Sequence, residues 1–88
     1  MPDIGFDRDA WKDYLWWQQQ DRRTLKRIND LLKEIMRDPA GGIGHAEPLR
    51  GDLAGLMSRH IDEANRLTYE IRGDQVFVVS CRGHYDDH

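Results

Sequence analysis

Two stretches of this chain, HAEPLR at residues 45–50 and CRGHY at residues 81–85, carry groups suited to proton transfer beside a polyanion. Glu47 sits before Pro48, whose ring fixes the backbone next to it. Arg66 opens the alternating run RLTYEI, and His84 and Tyr85 follow the apolar run VFVVSC. Together these offer a carboxylate, one or two guanidiniums, an imidazole and a phenol. Metal-free cleavage of RNA needs such a set. A base removes the 2′-hydroxyl proton, fixed cations stabilise the pentacoordinate phosphorane, and an acid protonates the departing 5′-oxygen. Arginine suits the middle role because its planar fork matches phosphate oxygens two at a time. Each group also has an inert reading: Glu47 as a solvated loop carboxylate, Arg66 as the partner of Glu70, His84 as an exposed terminal residue, and Tyr85 as cover for the core edge.

The elements that must position these groups follow from periodicity. Asp3 to Phe6 can form a first strand, and Asp7 is placed to cap a helix. Trp11, Tyr14, Leu15 and Gln18 share one face of that helix, widened by Trp16 and Trp17. Asp21 can cap a second helix, whose apolar stripe is Leu25, Ile28, Leu31, Leu32, Ile35 and Met36. Asp38-Pro39 stops it, because a residue before proline avoids helical geometry. So short a break makes the helices an antiparallel pair.

After the glycines of residues 40–44 the period becomes two. Met57 to Ile61, Leu67 to Ile71 and Val76 to Cys81 read as strands, joined by the turns Asp62-Glu63-Ala64-Asn65 and Gly73-Asp74. The expected fold is α+β in the order β-α-α-β-β-β, with both helices on one face of a small, mainly antiparallel sheet. Leu67, Tyr69 and Ile71, with Phe77, Val79 and Cys81, are expected to face the helices. Arg66, Arg82 and His84 then face away. The parity of the strand at Met57 to Ile61 stays open, so either Arg59 or His60 joins them.

At 88 residues the chain is expected to be one domain, residues 1–88, with 86–88 a short acidic tail. Its 39% hydrophobic and 33% charged residues suit a globular protein, and no apolar run approaches the roughly 20 residues that span a bilayer. A single cysteine, Cys81, excludes an internal disulfide and reads as a small core residue in a cytoplasmic protein. The four histidines, His45, His60, His84 and His88, are spaced by 15, 24 and 4 residues, which matches no compact ligand motif. No metal and no cofactor are expected. A net charge of −3 argues against a free-standing nucleic-acid binder, because phosphate neutralisation supplies most non-specific affinity.

The segments AWKDYLWWQQQDRRTLKRIN, EPLRGDLAG, MSRHIDEANRLTYEI and CRGHY resemble, in order and spacing, the YoeB (Txe) toxins of the RelE/ParE superfamily. The likeness runs from about Phe6 to Tyr85. It implies a type II toxin, an endoribonuclease that cleaves messenger RNA in the A site of the 70S ribosome and is silenced by a YefM-like antitoxin. It also makes a homodimer plausible. On this resemblance Glu47 is the catalytic glutamate, His84 the general acid and Tyr85 the terminal aromatic. Arg59 and Arg66 are the phosphate-stabilising arginines, and Arg50 is the basic residue after EPL. Two other classes compete. A ParE-like inhibitor acting on DNA gyrase by binding would not need the Glu47, Arg66, His84 and Tyr85 set. A structural or adaptor domain would use the tryptophan-rich first helix as its interface.

Overall fold

The computed structural model of the chain describes residues 3–39, 44 and 46–83. Strand β1 (Asp3–Phe6) leads into helix α1 (Arg8–Gln20), and a single residue separates it from α2 (Arg22–Arg37). Then come β2 (Glu47–Pro48), a 3-10 turn at Gly51–Leu53, β3 (Leu56–His60), β4 (Arg66–Arg72) and β5 (Gln75–Ser80). The sheet order is β1-β5-β4-β3-β2, with β1 parallel to β5 and every other pair antiparallel. The α+β expectation holds, with one addition. Glu47 lies in a two-residue strand, where its sequence had read as loop.

The helix ends are set by two aspartates. Asp7 accepts from the Ala10 N–H at 2.8 Å and starts α1. Asp21 serves both helices. Its own N–H closes α1 on the Trp17 carbonyl, while its carboxylate accepts from the N–H groups of Arg23 and Thr24 and from the Thr24 hydroxyl. Those bonds, the Thr24 hydroxyl first, hold its carboxyl below the usual range. The hydroxyl of Tyr14 donates to Asn29 at 2.7 Å, joining mid-helix to mid-helix as an antiparallel pair requires.

Ile28, Leu31 and Ile35 recur along α2 at three and four residues and are fully buried against Leu67, Tyr69, Val76, Val78 and Cys81. From α1 only Ala10 and Trp17 join them. The Trp17 indole donates to the Cys81 carbonyl at 2.8 Å, so its one polar group is satisfied inside the core. Trp11 and Leu15 remain 48% and 40% exposed, so the apolar arc of α1 is wider than the core can cover.

The parity expected for β5 needs correction. Val76 and Val78 face the helices, whereas Phe77 pairs with Glu70 on the opposite face and packs its ring over Gly5. An irregularity where Thr68 and Tyr69 meet β5 shifts the register, so Ser80 stands beside Thr68 and Cys81 returns to the core. Ile71, expected inside, is 40% exposed at the far end of β4.

Arg59 is the largest fully buried side chain. Its Nε donates to the Tyr69 hydroxyl at 3.0 Å, and its Nη2 donates to the carbonyls of Asp38 at 2.8 Å and Pro39 at 3.2 Å. The Tyr69 hydroxyl in turn donates to the Pro39 carbonyl at 2.6 Å. Together they fasten the end of α2 to the middle of the sheet. Arg59→Met will lower stability by about 2–4 kcal/mol in urea denaturation, since the bonds from a buried cation to Tyr69, Asp38 and Pro39 are all lost. Arg66→Met, on the other face, will change it by less than about 1 kcal/mol.

Candidate functional site

Strand pairing settles which residues share the face turned away from the helices. Glu47 is opposite Ser58, Ser58 opposite Thr68, and Thr68 opposite Ser80. His60 is opposite Arg66 in the neighbouring row. Directly opposed residues point the same way, and so do residues two apart on a strand. Glu47, His60 and Arg66 therefore project from one face. Arg59 pairs with Leu67, on the helix side, and is fully buried. The expectation that Arg59 contacts phosphate needs correction on this point: its guanidinium is inside the core, and His60 occupies the outward position. Burial was invisible to the pattern because SRHI places a charged residue at both parities.

Arg66 is anchored without being spent. Its Nη1 donates to the carbonyls of Asp62 at 2.6 Å, Asn65 at 3.1 Å and Glu63 at 3.4 Å. Those are the only hydrogen bonds of its side chain among the described residues, so Nε and Nη2 remain to meet an anion. The surface pairing with Glu70 does not form: four residues along β4 separate the two by roughly 13 Å, and Glu70 pairs with Arg72 at 2.9 Å. Glu47 is exposed and makes no ion pair among the described residues. Arg50 is also exposed, at the start of the 3-10 turn two residues beyond β2.

The turn before β4 holds Gly83 against Arg66. Asp62 accepts from the N–H groups of Ala64 and Asn65 and from the Asn65 amide. The other end of that amide accepts from the Gly83 N–H at 2.8 Å, and the Gly83 carbonyl accepts from the Arg66 N–H at 2.9 Å. Asp62 and Asn65 are thus positioning residues that sequence reading passed over as turn chemistry; their side-chain preference for local backbone bonds was the available signal. His84 and Tyr85, the remaining candidates, lie outside the described residues, as do His45, His88 and the acidic tail. Among the described residues no three histidine, cysteine or acidic side chains gather as a metal would require.

His60 is held through its backbone on both sides. Its N–H donates to the Gly44 carbonyl at 2.8 Å, and its carbonyl accepts from Arg27 at 3.1 Å. Gly44 has φ +86°, and a Cβ there would lie 2.7 Å from a Leu31 methyl, so only glycine lets the chain pass so close.

Cys81 is a core residue. Burial, then the carboxylates of Asp13 and Asp7, push its thiol from 9.0 up to about 12. Alkylating reagents at pH 8 will leave the folded chain unmodified and label it only after denaturation. The native thiol keeps its proton where an unfolded one has lost it. Its contribution to stability is therefore complete below about pH 9 and is lost as pH rises toward 12, a trend that Cys81→Ala will flatten in pH-dependent unfolding.

Residues 6–85 match the profile of a family described as the YoeB-like toxin of bacterial type II toxin-antitoxin systems. The Toxin YoeB of Mycobacterium bovis is 48% identical over 85 residues, covering 97% of this chain and 100% of the relative. Three solved structures superpose closely. The YoeB/ParE toxin from Agrobacterium tumefaciens has a TM-score of 0.90 at 39% identity, covering 94% of this chain and 99% of that one. The YoeB dimer from Staphylococcus aureus reaches 0.88 at 40% identity, covering 96% and 98%. The YoeB-YefM complex from the same organism reaches 0.88 at 38% identity, covering 97% and 99%.

Proposed function

The chain belongs to the YoeB-like toxins of bacterial type II toxin-antitoxin systems, and from that premise we propose that it is a ribosome-dependent endoribonuclease acting in the cytoplasm on messenger RNA in the A site. The observation that carries the reading is Arg66. Its guanidinium is pinned at one nitrogen to the turn carbonyls, with two nitrogens left for an anion among the described residues, on the same face as Glu47 and next to Gly83. A fixed cation costs no reorganisation when charge develops on a phosphorane. Glu47 takes the proton of the 2′-hydroxyl, Arg66 stabilises the phosphorane, and His84 protonates the leaving 5′-oxygen, with Tyr85 beside it. Arg50 steers the RNA backbone, and the reaction needs no metal. Arg59 acts only through the framework, by holding the sheet to α2.

The charge of the chain bears on its partner. At −3 it gains little from counterion release on free RNA, so orientation must come from a larger body that presents the message. The YefM complex and the YoeB dimer known for the Staphylococcus aureus relative support a YefM-like antitoxin and a homodimer here. A ParE-like inhibitor would have no use for an exposed carboxylate and an open guanidinium on one face.

Glu47→Ala and His84→Ala will each lower cleavage of ribosome-bound message by about 10²–10⁴-fold while keeping the fold and antitoxin binding. Arg66→Lys will also be poor, because a point charge does not reproduce the fork. Primer extension on programmed ribosomes reads all three, and wild-type rates in Glu47→Ala would remove that residue from the mechanism. The products will carry a 2′,3′-cyclic phosphate and a 5′-hydroxyl, and toxin pretreated with EDTA will stay active in ordinary ribosome buffer. Equal rates on protein-free RNA would refute ribosome dependence.

A further inference from the structure

The two consecutive tryptophans of α1 take no part in the proposed chemistry, yet they hold the residues that lead to His84. Trp17 is buried, and its indole N–H donates to the Cys81 carbonyl at 2.8 Å. One helical turn earlier, Asp13 accepts from the Cys81 N–H at 3.3 Å. Trp16 meets Trp17 edge to face, with ring centroids 4.8 Å apart and planes at 76°. The Arg82 guanidinium lies over the Trp16 ring, 3.7 Å from its centroid. Two successive residues, Cys81 and Arg82, thus rest on two successive residues of α1.

Gly83 is held from the other side. Its N–H donates to Asn65, its carbonyl accepts from the Arg66 N–H, and its φ of +79° lies in the left-handed region that glycine reaches without strain. Hydrogen bonds at Cys81 and Gly83 fix the backbone on either side of Arg82 but leave the peptide planes next to it able to rock. Arg82 is exposed, and a free arginine side chain there would sample many rotamers. Attraction between a guanidinium and an indole face removes that freedom, and the edge contact with buried Trp17 keeps the indole in place. Precision matters for the residue that follows. A general acid must come within about 2.6–3.2 Å of the oxygen it protonates, and a misplacement of about 1 Å can cost about 10²-fold.

We propose that Trp16 is a positioning residue for the general acid: stacked on Arg82 and braced by Trp17, it fixes the direction in which the chain delivers His84. The inference rests on the endoribonuclease reading, and its first measurement is made on the free protein so that the two fail separately.

Amide exchange of Gly83 in the free full-length protein is followed by NMR. Trp16→Leu, which keeps apolar bulk and removes the aromatic face, will speed that exchange about tenfold, while Trp16→Phe will stay within about twofold of wild type. On programmed ribosomes Trp16→Leu will lower kcat about tenfold, the equivalent of about 1.4 kcal/mol, and change KM by less than about twofold. Trp16→Phe will restore kcat. Arg82→Gln will match the loss in Trp16→Leu, and the double variant will lose no more than either, because both remove one contact. Since Arg82 is exposed, Arg82→Gln keeps the fold and carries the test even if Trp16→Leu does not fold. Wild-type Gly83 exchange and wild-type kcat in Arg82→Gln would overturn the proposal. So would a raised KM with kcat intact, or losses that add in the double variant, either of which would make Arg82 a direct contact to RNA. Protection of Gly83 that depends on Trp16, in a chain that cleaves nothing, would retain the clamp and remove the endoribonuclease reading.

Discussion

The fold turns on one buried cation. Arg59 lies wholly inside the layer between α2 and the sheet, where an unpartnered guanidinium would cost several kcal/mol. The cost is met by a fixed set of acceptors: the Tyr69 hydroxyl on β4 and the carbonyls of Asp38 and Pro39, which α2 leaves unsatisfied where it ends. Because those acceptors come from the sheet and from the end of α2, satisfying them also fixes where the chain leaves the helix. Tyr69, whose ionisation burial pushes upward, stays a neutral donor to Pro39. From there the backbone crosses over Leu31 at Gly44 and meets His60 before reaching Glu47. The carboxylate proposed as catalytic is then placed by the pairing of β2 with β3, opposite Ser58.

The same sheet does two incompatible jobs, and the pleat keeps them apart. Residues facing the helices are Leu67, Tyr69, Val76 and Val78, closed to water. Residues facing away include Glu47, His60 and Arg66, which must reach solvent and substrate. The register irregularity in β5 carries the chain from one duty to the other. It turns Ser80 outward, returns Cys81 to the core, and lets Gly83 dock on Arg66. A bulge commonly re-aims side chains next to a site, and here it also brings Gly83 to Arg66.

Electrostatically the outward face is a local exception on an acidic protein. Arg66 is held by carbonyls rather than by a carboxylate, so its charge is not cancelled. Among the described residues the ion pairs Lys26–Asp30 and Glu34–Arg37 lie on α2, and Glu70–Arg72 lies at the far end of β4; all reach solvent, where each contributes little. A guanidinium fixed by neutral dipoles keeps its full attraction for a phosphate, at the expense of affinity for unoriented RNA.

Much of this could be read from the residues alone. Aspartate caps, the three- and four-residue spacing of Ile28, Leu31 and Ile35, and two-residue alternation around Tyr69 determine the elements, because they express short-range geometry that needs no partner. The quoted motifs also carried the family. Tertiary structure alone decided the rest. Whether Arg59 or His60 faces outward depends on which carbonyls are available beneath β3. Whether Val78 or Val79 is buried depends on a register shift against β4. That Asn65 ties Gly83 to Arg66 joins residues 18 apart. Each of these is a contact between segments distant in the chain, and local propensity carries no information about which distant group satisfies a buried donor.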